Sequence, residues 1–283
     1  MWTREQLKTR AKDVLRKSYW WAFLVCLVFT MISGFGNSSS NTVNRRINTS
    51  SSGYQSSVDI SSLAKEAGLN KEQTKALQDI VDTYGSAAST GASVGALVIS
   101  FVIKLFNIAF SIFVIYPLTV GYNRYFLDQS AGNVNFGTLF SGFTGGKYMA
   151  RVKTMFFKSL YTFLWSLLFI IPGIIKGYSY FLIPYIIADN PDISTDRAFE
   201  ISMKTMDGEK WDCFVLQLSF LGWQLLGLLC CCIGIYFVNP YQQATMAEFY
   251  ITMRQKAIDK GIASAEEFNL TYTPADPAIQ PII

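Results

Sequence analysis

The sequence predicts an all-α, polytopic membrane protein with six transmembrane helices, arranged as three hairpin repeats with cytoplasmic amphipathic helices. Of the 283 residues, 51% are hydrophobic and 16% are charged, whereas roughly 25% of the residues of a soluble domain are charged. Several apolar runs approach or exceed the roughly 18 residues that cross a bilayer as a helix. The alternative is a soluble helical domain, which would have to bury every one of these runs.

The N-terminal segment 1–18 predicts a cytoplasmic amphipathic helix. Thr3 and Gln6 fit a capping box, and apolar residues after them recur on one helix face. Six basic residues precede the apolar run 19–35, which places the N-terminus in the cytoplasm by the positive-inside rule. A secretory signal has a similar polarity, but no cleavage site of small residues immediately follows the run. We therefore expect a retained first span.

A polar insertion is expected to interrupt the membrane domain after this span. Residues 37–58 are rich in Ser and Asn and have no apolar period, which is typical of a flexible, low-complexity loop. Apolar residues recur at helical spacing in 59–84, so a helical part is expected there. The whole insertion, 36–92, lies outside the cell in this topology.

Five further spans are predicted from the apolar runs that follow. A single helix over 155–189 would be roughly 50 Å long, too long for a hydrocarbon core of roughly 30 Å. Pro172-Gly173 near its middle therefore predicts a turn between two arms, which either cross the bilayer or form a re-entrant hairpin. The predicted order is span 2 within 93–123, spans 3 and 4 within 155–189, spans 5 and 6 within 212–252, cytoplasmic segments at 124–153 and 190–211, and a flexible cytoplasmic tail at 263–283 after the six-span domain 19–262.

Short sequences recur in the later spans. FLWSLL (163–168) is similar to FLGWQLL (220–226), and YFLIPY (180–185) is similar to YFVNPY (236–241). A weaker third copy is FVIYP (113–117). YFLIPY, YFVNPY and FVIYP each contain a proline, and each lies in a helix that returns to the cytoplasm. A proline there frees a backbone carbonyl and kinks the helix. The predicted kink residues are Pro117, Pro184 and Pro240.

Several longer segments carry a resemblance to a known family. They are MWTREQLKTRAKDVLRKSYWWAFLV at the N-terminus, IPGIIKGYSYFLIPYIIADNPDIS in the middle, and GEKWDCFVLQLSFLGW with GIYFVNPYQQATMAEFY near the end. Together they resemble the bacterial integral membrane family known as domain of unknown function 975. The resemblance implies a multi-pass plasma membrane protein, mostly from Gram-positive bacteria. It implies neither an activity nor any functional residue.

Polar residues in or beside the predicted spans are candidates for an intramembrane site, because such residues are costly in lipid. Lys104 and Asn107 lie one turn apart in span 2, and Asn239 and Gln243 lie in span 6. The ordinary explanations are a lysine that extends to the outer interface and amides that join helices by hydrogen bonds. A polar pathway is the alternative. Asp189 is added because the helix dipole disfavours a carboxylate at a helix C-terminus, so it needs a basic partner.

The stretch IPYIIADNPDISTDRAFE (183–200) raises the question of a metal site. Asp189, Asp192 and Asp196 lie within eight positions. Ser194 is a good N-cap for the helix that follows, and the two later aspartates lie near its start, where acids offset the dipole. Carboxylates that converge on a divalent cation are the alternative. We favour the helix boundary and predict no metal site.

The composition excludes several chemistries. The chain has no His, so it lacks the commonest general base and the commonest metal ligand. No phosphate loop, dinucleotide fingerprint or hydrolase elbow is found. The cysteines are Cys26, Cys213 and the run 230–232, which lack the spacing of a zinc or iron–sulfur site. We therefore expect no cofactor and no catalytic residue.

These observations predict a non-enzymatic, multi-pass protein of the bacterial plasma membrane with both termini in the cytoplasm. We expect an accessory, scaffold or regulatory factor in envelope or export processes. The alternative is a small-solute or lipid-like transporter with a site between the hairpins, and an intramembrane enzyme is a third candidate. The net charge of +4 favours contact with anionic lipid head groups over nucleic acid. A membrane protein partner of unknown identity is left open.

Overall fold

The computed structural model divides into two compact units, Met1–Ile32 with Ser111–Ile283, and Ser33–Phe110. The structure describes residues 2–53, 75, 79, 98–144, 146–229 and 234–270, with side chains described outside 35–53. Three predictions therefore lie wholly or mostly outside the described residues: the helical part of the insertion at 59–84, the cysteine run at 230–232, and residues 271–283 of the tail.

The described residues form helices and the turns between them, with no strand in this part of the chain, so the all-α class is confirmed. Three helices are long and apolar enough to span a membrane: Arg4–Gly34, Val98–Ser130 and Ile170–Asp189. The α-helices are α1 (Arg4–Gly53), α2 (Val98–Ser130), α3 (Tyr148–Leu168), α4 (Ile170–Ser179), α5 (Ile183–Asp189), α6 (Thr195–Thr205), α7 (Lys210–Leu229) and α8 (Gly234–Asp259), with 3₁₀ turns at Phe136–Phe140 and Glu266–Phe268.

The N-terminal part of α1 packs by the face that the sequence predicts. The Gln6 amide donates to Thr3 Oγ1 at 3.3 Å, and the Thr3 amide donates to Gln6 Oε1 at 3.2 Å, which is the expected capping box. Leu7 and Ala11 are fully buried. The backbone leaves helical geometry at Ser18 (φ −145°, ψ 27°). This kink separates the amphipathic segment from the apolar run.

The end of α1 differs from the sequence expectation. The helix continues to Gly53, so the stretch 37–53 is helical where a loop was predicted at 37–58. Ser and Asn have low helix propensity, but the stretch contains no proline. Low propensity weakens a helix, whereas a proline would have removed a hydrogen bond and ended it.

A tyrosine hydroxyl donates a hydrogen bond to the backbone carbonyl that Pro117 leaves without a helical donor. A π-helical stretch, Ser111–Ile115, precedes this proline in α2. Because proline has no N–H, the carbonyl of Phe113, four residues earlier, loses its usual helical donor. The Tyr148 hydroxyl donates to that carbonyl. A neighbouring element thus satisfies a backbone group that would be costly to leave bare in lipid.

The two other predicted kink prolines stand in different positions. Pro240 lies inside α8, and the Tyr19 hydroxyl donates at 3.0 Å to the carbonyl of Phe237, in the turn that the proline interrupts. Pro184 stands in the first turn of α5, after a turn at 180–182 that separates α5 from α4. A proline at that position sacrifices no helical hydrogen bond.

Helices α3 and α4 pack against each other as a tight pair. The chain reverses at Phe169, whose backbone is extended (φ −155°, ψ 140°), and not at Pro172-Gly173 as the sequence suggested. Pro172 instead lies in the first turn of α4, where its missing N–H is not needed. Gly173 faces α3 so closely that a Cβ added there would lie 2.5 Å from Ser166 Oγ. Its bare backbone is required for this approach.

The large apolar side chains fall into a buried set and an exposed set. The buried set includes aromatic pairs such as Tyr185–Tyr250, with ring centroids 5.1 Å apart. Most of the exposed large apolar residues lie within four stretches, 20–31, 98–113, 156–175 and 211–237. This exposed apolar surface is larger than soluble monomers tolerate, and it indicates membrane association.

The C-terminal segment up to residue 270 is folded. Ala263 and Phe268 are buried in the core, and a 3₁₀ turn, Glu266–Phe268, ends at Asn269 in left-handed geometry (φ 54°). The flexible tail that the sequence predicts from 263 therefore does not include 263–270. The segment is polar in composition, so the sequence does not indicate that Phe268 is buried in the core.

Candidate functional site at Asp189

The carboxylate of Asp189 lies at the meeting point of three helices. It ends α5, and only 4% of its side chain is exposed. Tyr250 and Arg254 of α8 donate to its Oδ2, the hydroxyl and Nη1 both at 2.8 Å. Arg124 of α2 donates to its Oδ1 at 3.3 Å. Charge-assisted hydrogen bonds of this kind are the stronger ones in proteins, so Asp189 joins α2, α5 and α8.

The second arginine also offsets the dipole of α5. Arg124 Nη1 donates to the carbonyl of Ala188 at 3.2 Å, near the helix C-terminus. Its Nε lies 2.9 Å from the Asp128 carboxylate, one turn further along α2. Two arginines and two aspartates thus lie together in this cluster. A positive group at this end of α5 removes the conflict that the sequence analysis identified for Asp189.

Side-chain amides connect this cluster to the C-terminal segment. Asn269 Nδ2 donates to the backbone carbonyl of Asp189 at 3.1 Å. The next residue, Asn190, donates to the carbonyl of Glu267 at the same distance, 3.1 Å. The segment after α8 is therefore hydrogen-bonded to the start of the polar turn that follows α5.

Arg197 on α6 completes the connection. Its Nε lies 2.7 Å from Glu267 Oε1, its Nη1 lies 2.8 Å from Glu200, and its Nη2 donates to the Ile262 carbonyl at 2.8 Å. Ser194 accepts from the Arg197 amide as the predicted N-cap. Hydrogen bonds from Arg197 lower the pKa of Glu267. The pKa of Glu200 falls to about 2, through Lys204 first and then Arg197.

Loss of the Arg197 guanidinium is expected to loosen the C-terminal segment. In Arg197→Gln, hydrogen exchange of residues 262–270 should rise by roughly two- to fivefold at pH 7, because exposed ion pairs contribute up to about 1 kcal/mol. Both glutamate pKa values are lowered on folding. Their contribution is full above the ordinary glutamate pKa of roughly 4.3 and is lost as the pH falls through the folded values. The ratio of variant to wild-type exchange should therefore fall between pH 4 and 2, and the excess that remains reflects the hydrogen bond from Arg197 to the Ile262 carbonyl, which does not titrate.

Lys204→Gln is the matched control, since it removes an exposed cation from the same helix. Lys204 pairs with Glu200 at 2.7 Å but does not contact the C-terminal segment in the described part of the chain. Its exchange at 262–270 should stay within the wild-type range. Equal effects of the two variants would contradict the role given to Arg197.

A family model covers almost all of this arrangement. It matches residues 1–257, and the family is described as "Protein of unknown function (DUF975)". The chain belongs to the DUF975 family. No curated protein and no solved structure matches it at the significance threshold applied. The matched region contains Asp189, Arg124, Tyr250 and Arg254, while Glu267 and Asn269 lie beyond it.

The three aspartates of the 183–200 stretch have separate partners in this DUF975 protein. Asp189 binds the two arginines, whereas Asp192 lies 3.0 Å from Lys147 and is 67% exposed. Asp196 is exposed in the first turn of α6, where an acid favours the helix dipole. Among the described residues there is no group of three carboxylate or sulfur ligands suited to a metal ion.

The other predicted candidates are distributed over both units of the DUF975 chain. Lys104, which is exposed, and Asn107, which is half-buried, lie in the second unit. Asn239 and Gln243 are half-buried on α8 in the first unit. Their neighbour Gln242 accepts from Gln224 of α7 at 2.7 Å, an amide bond between helices of the kind that the sequence predicted.

Sequence reasoning did not find the partners of Asp189. In the sequence, Arg124 and Arg254 each follow an apolar run where the positive-inside rule expects a cation, so nothing singles them out as partners of a carboxylate. Tyr250 gave no signal, since Tyr is common near membrane interfaces. The missing information was that residues 65 positions apart lie in contact.

Proposed function

We propose that this protein is a non-enzymatic scaffold of the bacterial plasma membrane, with six spans in three hairpins and both termini in the cytoplasm. It would act as an accessory or regulatory factor in envelope or export processes. The observation that carries the proposal is the Asp189 cluster. The most buried carboxylate at this junction has both oxygens bound by the protein's own side chains, so it acts to hold helices together.

The same cluster supports the six-span topology. In that topology α2, α4–α5 and α8 all return to the cytoplasm and run parallel. Asp189 of α5 lies within hydrogen-bond distance of Arg124 on α2 and of Arg254 on α8, so each returning segment contributes one residue to the cluster. Three returning helices that end at the same face would bring their ends together in this way.

Two close glycine contacts support the hairpin repeat. Gly173 of α4 faces Ser166 of α3. In the hairpin of α7 and α8, Gly227 faces Gly234. A Cβ added to Gly227 would lie 2.8 Å from the Gly234 carbonyl carbon. Small residues let membrane helices approach closely. In both hairpins a glycine at the contact allows the two helices to pack against each other.

An aromatic interior favours a scaffold over a solute pathway. Tyr185 stacks on Tyr250 with centroids 5.1 Å apart, directly beside Asp189. Phe181 packs on Phe249 at 6.2 Å, and Tyr180 on Phe199 at 5.0 Å. Densely packed rings of this kind make a rigid core. A rigid core suits a platform on which other membrane proteins assemble.

Affinity purification from native membranes tests the scaffold. We expect one or more membrane proteins to co-purify with the tagged full-length chain, and to be lost with Asp189→Asn, which loosens the core. Asp192→Asn, an exposed change next to the same turn, should retain them. A clean monomer that co-purifies with a single small molecule would contradict the scaffold and support the transporter.

Cysteine labelling tests the topology. In a chain whose native cysteines are replaced by serine, Ser50→Cys should react with an impermeant maleimide in intact cells, because the segment after span 1 lies outside in the proposed topology. Asp207→Cys is the matched position on the cytoplasmic side; Asp207 is 81% exposed. It should react only after the cells are made permeable. The reverse pattern at the two positions would overturn the orientation.

A further inference from the structure

A basic groove lies between the N-terminal helix and the hairpin of α7 and α8. Its cavity has a volume of about 380 Å³, within the range of small-molecule sites. Three cations line one wall, Arg4, Lys8 and Lys12, and Ser219 and Tyr241 line the other. The cations are spaced four residues apart, so they lie on successive turns of α1 along one helix face.

The N-terminal helix is fixed in place at this groove. Trp2 Nε1 donates to Glu209 Oε2 at 2.7 Å, and the Trp2 ring packs edge-on against Phe249 at 5.3 Å. Lys256 forms an ion pair with the same Glu209. Leu7 is buried in the core beside the three cations. The positive wall is therefore positioned by the fold.

Two of the cations lie over aromatic rings without a carboxylate partner. Lys8 Nζ is 4.8 Å from the centroid of Phe220, and Lys12 Nζ is 5.8 Å from that of Tyr241. Within the described part of the chain, no carboxylate lies within 4.0 Å of either ammonium group. The groove carries three cations against one acid, Glu5. An anion would complete it.

An apolar strip continues from the groove towards the tip of the hairpin. Trp223 and Leu226 are exposed on α7, four and seven residues after Ser219 and so on the same helix face. A Cβ added to Gly222, the residue before Trp223, would meet no atom within 4 Å. A ligand with an anionic head and an apolar tail would place its head in the basic groove and its tail along the apolar strip.

We propose that this groove binds the phosphodiester head group of an anionic phospholipid, with an acyl chain along Trp223 and Leu226. The proposal deepens the membrane scaffold proposed above and rests on its membrane location. The cations neutralise the phosphate, and the aromatic rings beneath Lys8 and Lys12 hold the ammonium groups towards it. The bound lipid would fix the N-terminal helix against the hairpin.

Native mass spectrometry of the purified full-length protein tests the site. Phosphatidylglycerol is titrated against phosphatidylcholine at a fixed detergent concentration. Lys8→Gln/Lys12→Gln should weaken phosphatidylglycerol binding roughly thirtyfold, since each lysine near an anionic lipid contributes about 1 kcal/mol and about 1.4 kcal/mol corresponds to tenfold. Arg16→Gln/Lys17→Gln is the matched control, with two charges lost from exposed positions of the same helix outside the groove. It should bind within twofold of wild type.

Several outcomes would overturn the proposal. Equal losses in the two double variants would show general electrostatic attraction, and an unchanged affinity in Lys8→Gln/Lys12→Gln would show that the groove is not used. Displacement of the lipid by inorganic phosphate or glycerol phosphate at equal concentration would assign the groove to a free anion. The measurement uses the isolated chain, so it stands or fails independently of the co-purifying proteins that test the scaffold.

Discussion

Replacement of Asp189 by Asn is expected to lower the free energy of unfolding by about 3–5 kcal/mol. The change keeps the side-chain shape but removes the charge that Arg124 and Arg254 share. Only 9% of the Arg254 side chain is exposed, so water cannot replace the carboxylate. Removal of one partner from a buried pair leaves its counter-charge in a low-dielectric environment, which costs far more than the pair itself contributes. The variant should unfold at a markedly lower temperature in detergent.

Asp192→Asn is the matched control for this result. Asp192 lies three residues further on and pairs with Lys147, but it is 67% exposed. Exposed pairs contribute about 0–1 kcal/mol, so this variant should unfold close to wild type. A wild-type unfolding temperature in Asp189→Asn, measured by intrinsic fluorescence, would contradict the structural role of the cluster.

Gly121→Ala is expected to destabilise the protein by about 1–3 kcal/mol, the usual cost of overpacking. Gly121 lies in α2 where the helix crosses the 3₁₀ turn Phe136–Phe140, and an added Cβ would overlap the carbonyl oxygen of Leu139. That oxygen belongs to the backbone and cannot rotate away. Gly142 lies equally close to the carbonyl of Pro117. To make room for the added Cβ, α2 and the segment around the 3₁₀ turn would have to move apart.

Gly222→Ala supplies the opposite result. Gly222 lies inside α7, and an added Cβ would meet no atom within 4 Å. Alanine is favoured over glycine in a helix by about 0.5–1 kcal/mol, so this variant should be slightly more stable than wild type. The same substitution thus has opposite signs at two helical positions. Equal unfolding temperatures of the two variants would show that the contact with Leu139 is looser than the structure indicates.

The sequence predicted the helix boundaries that depend on neighbouring residues. The Thr3–Gln6 box and the Ser194 cap are both present, because each depends on residues within one turn. The buried face of the N-terminal helix followed from its apolar period. Low propensity misled the prediction at 37–53, where α1 continues.

Contacts between distant segments could not be predicted in the same way. The sequence identified Asp189 as an acid in need of a basic partner, yet several arginines and lysines near helix ends were equally suitable. The turn at Phe169 was also missed, because Pro172 is compatible with both a turn and the first turn of a helix. The extended backbone at Phe169 and the packing of Gly173 on Ser166 distinguish the two.

The helical class, the apolar segments suited to a membrane and the local caps were predictable from the amino-acid sequence. These follow from composition and from periodicity over a few residues. The tertiary structure alone decided that Asp189 pairs with Arg124 and Arg254, that Phe268 anchors the segment after α8, and that Lys8 and Lys12 face α7 and α8 across a groove. The physical reason is that charge pairing and burial depend on distance in space, which a chain with many similar apolar helices does not specify locally.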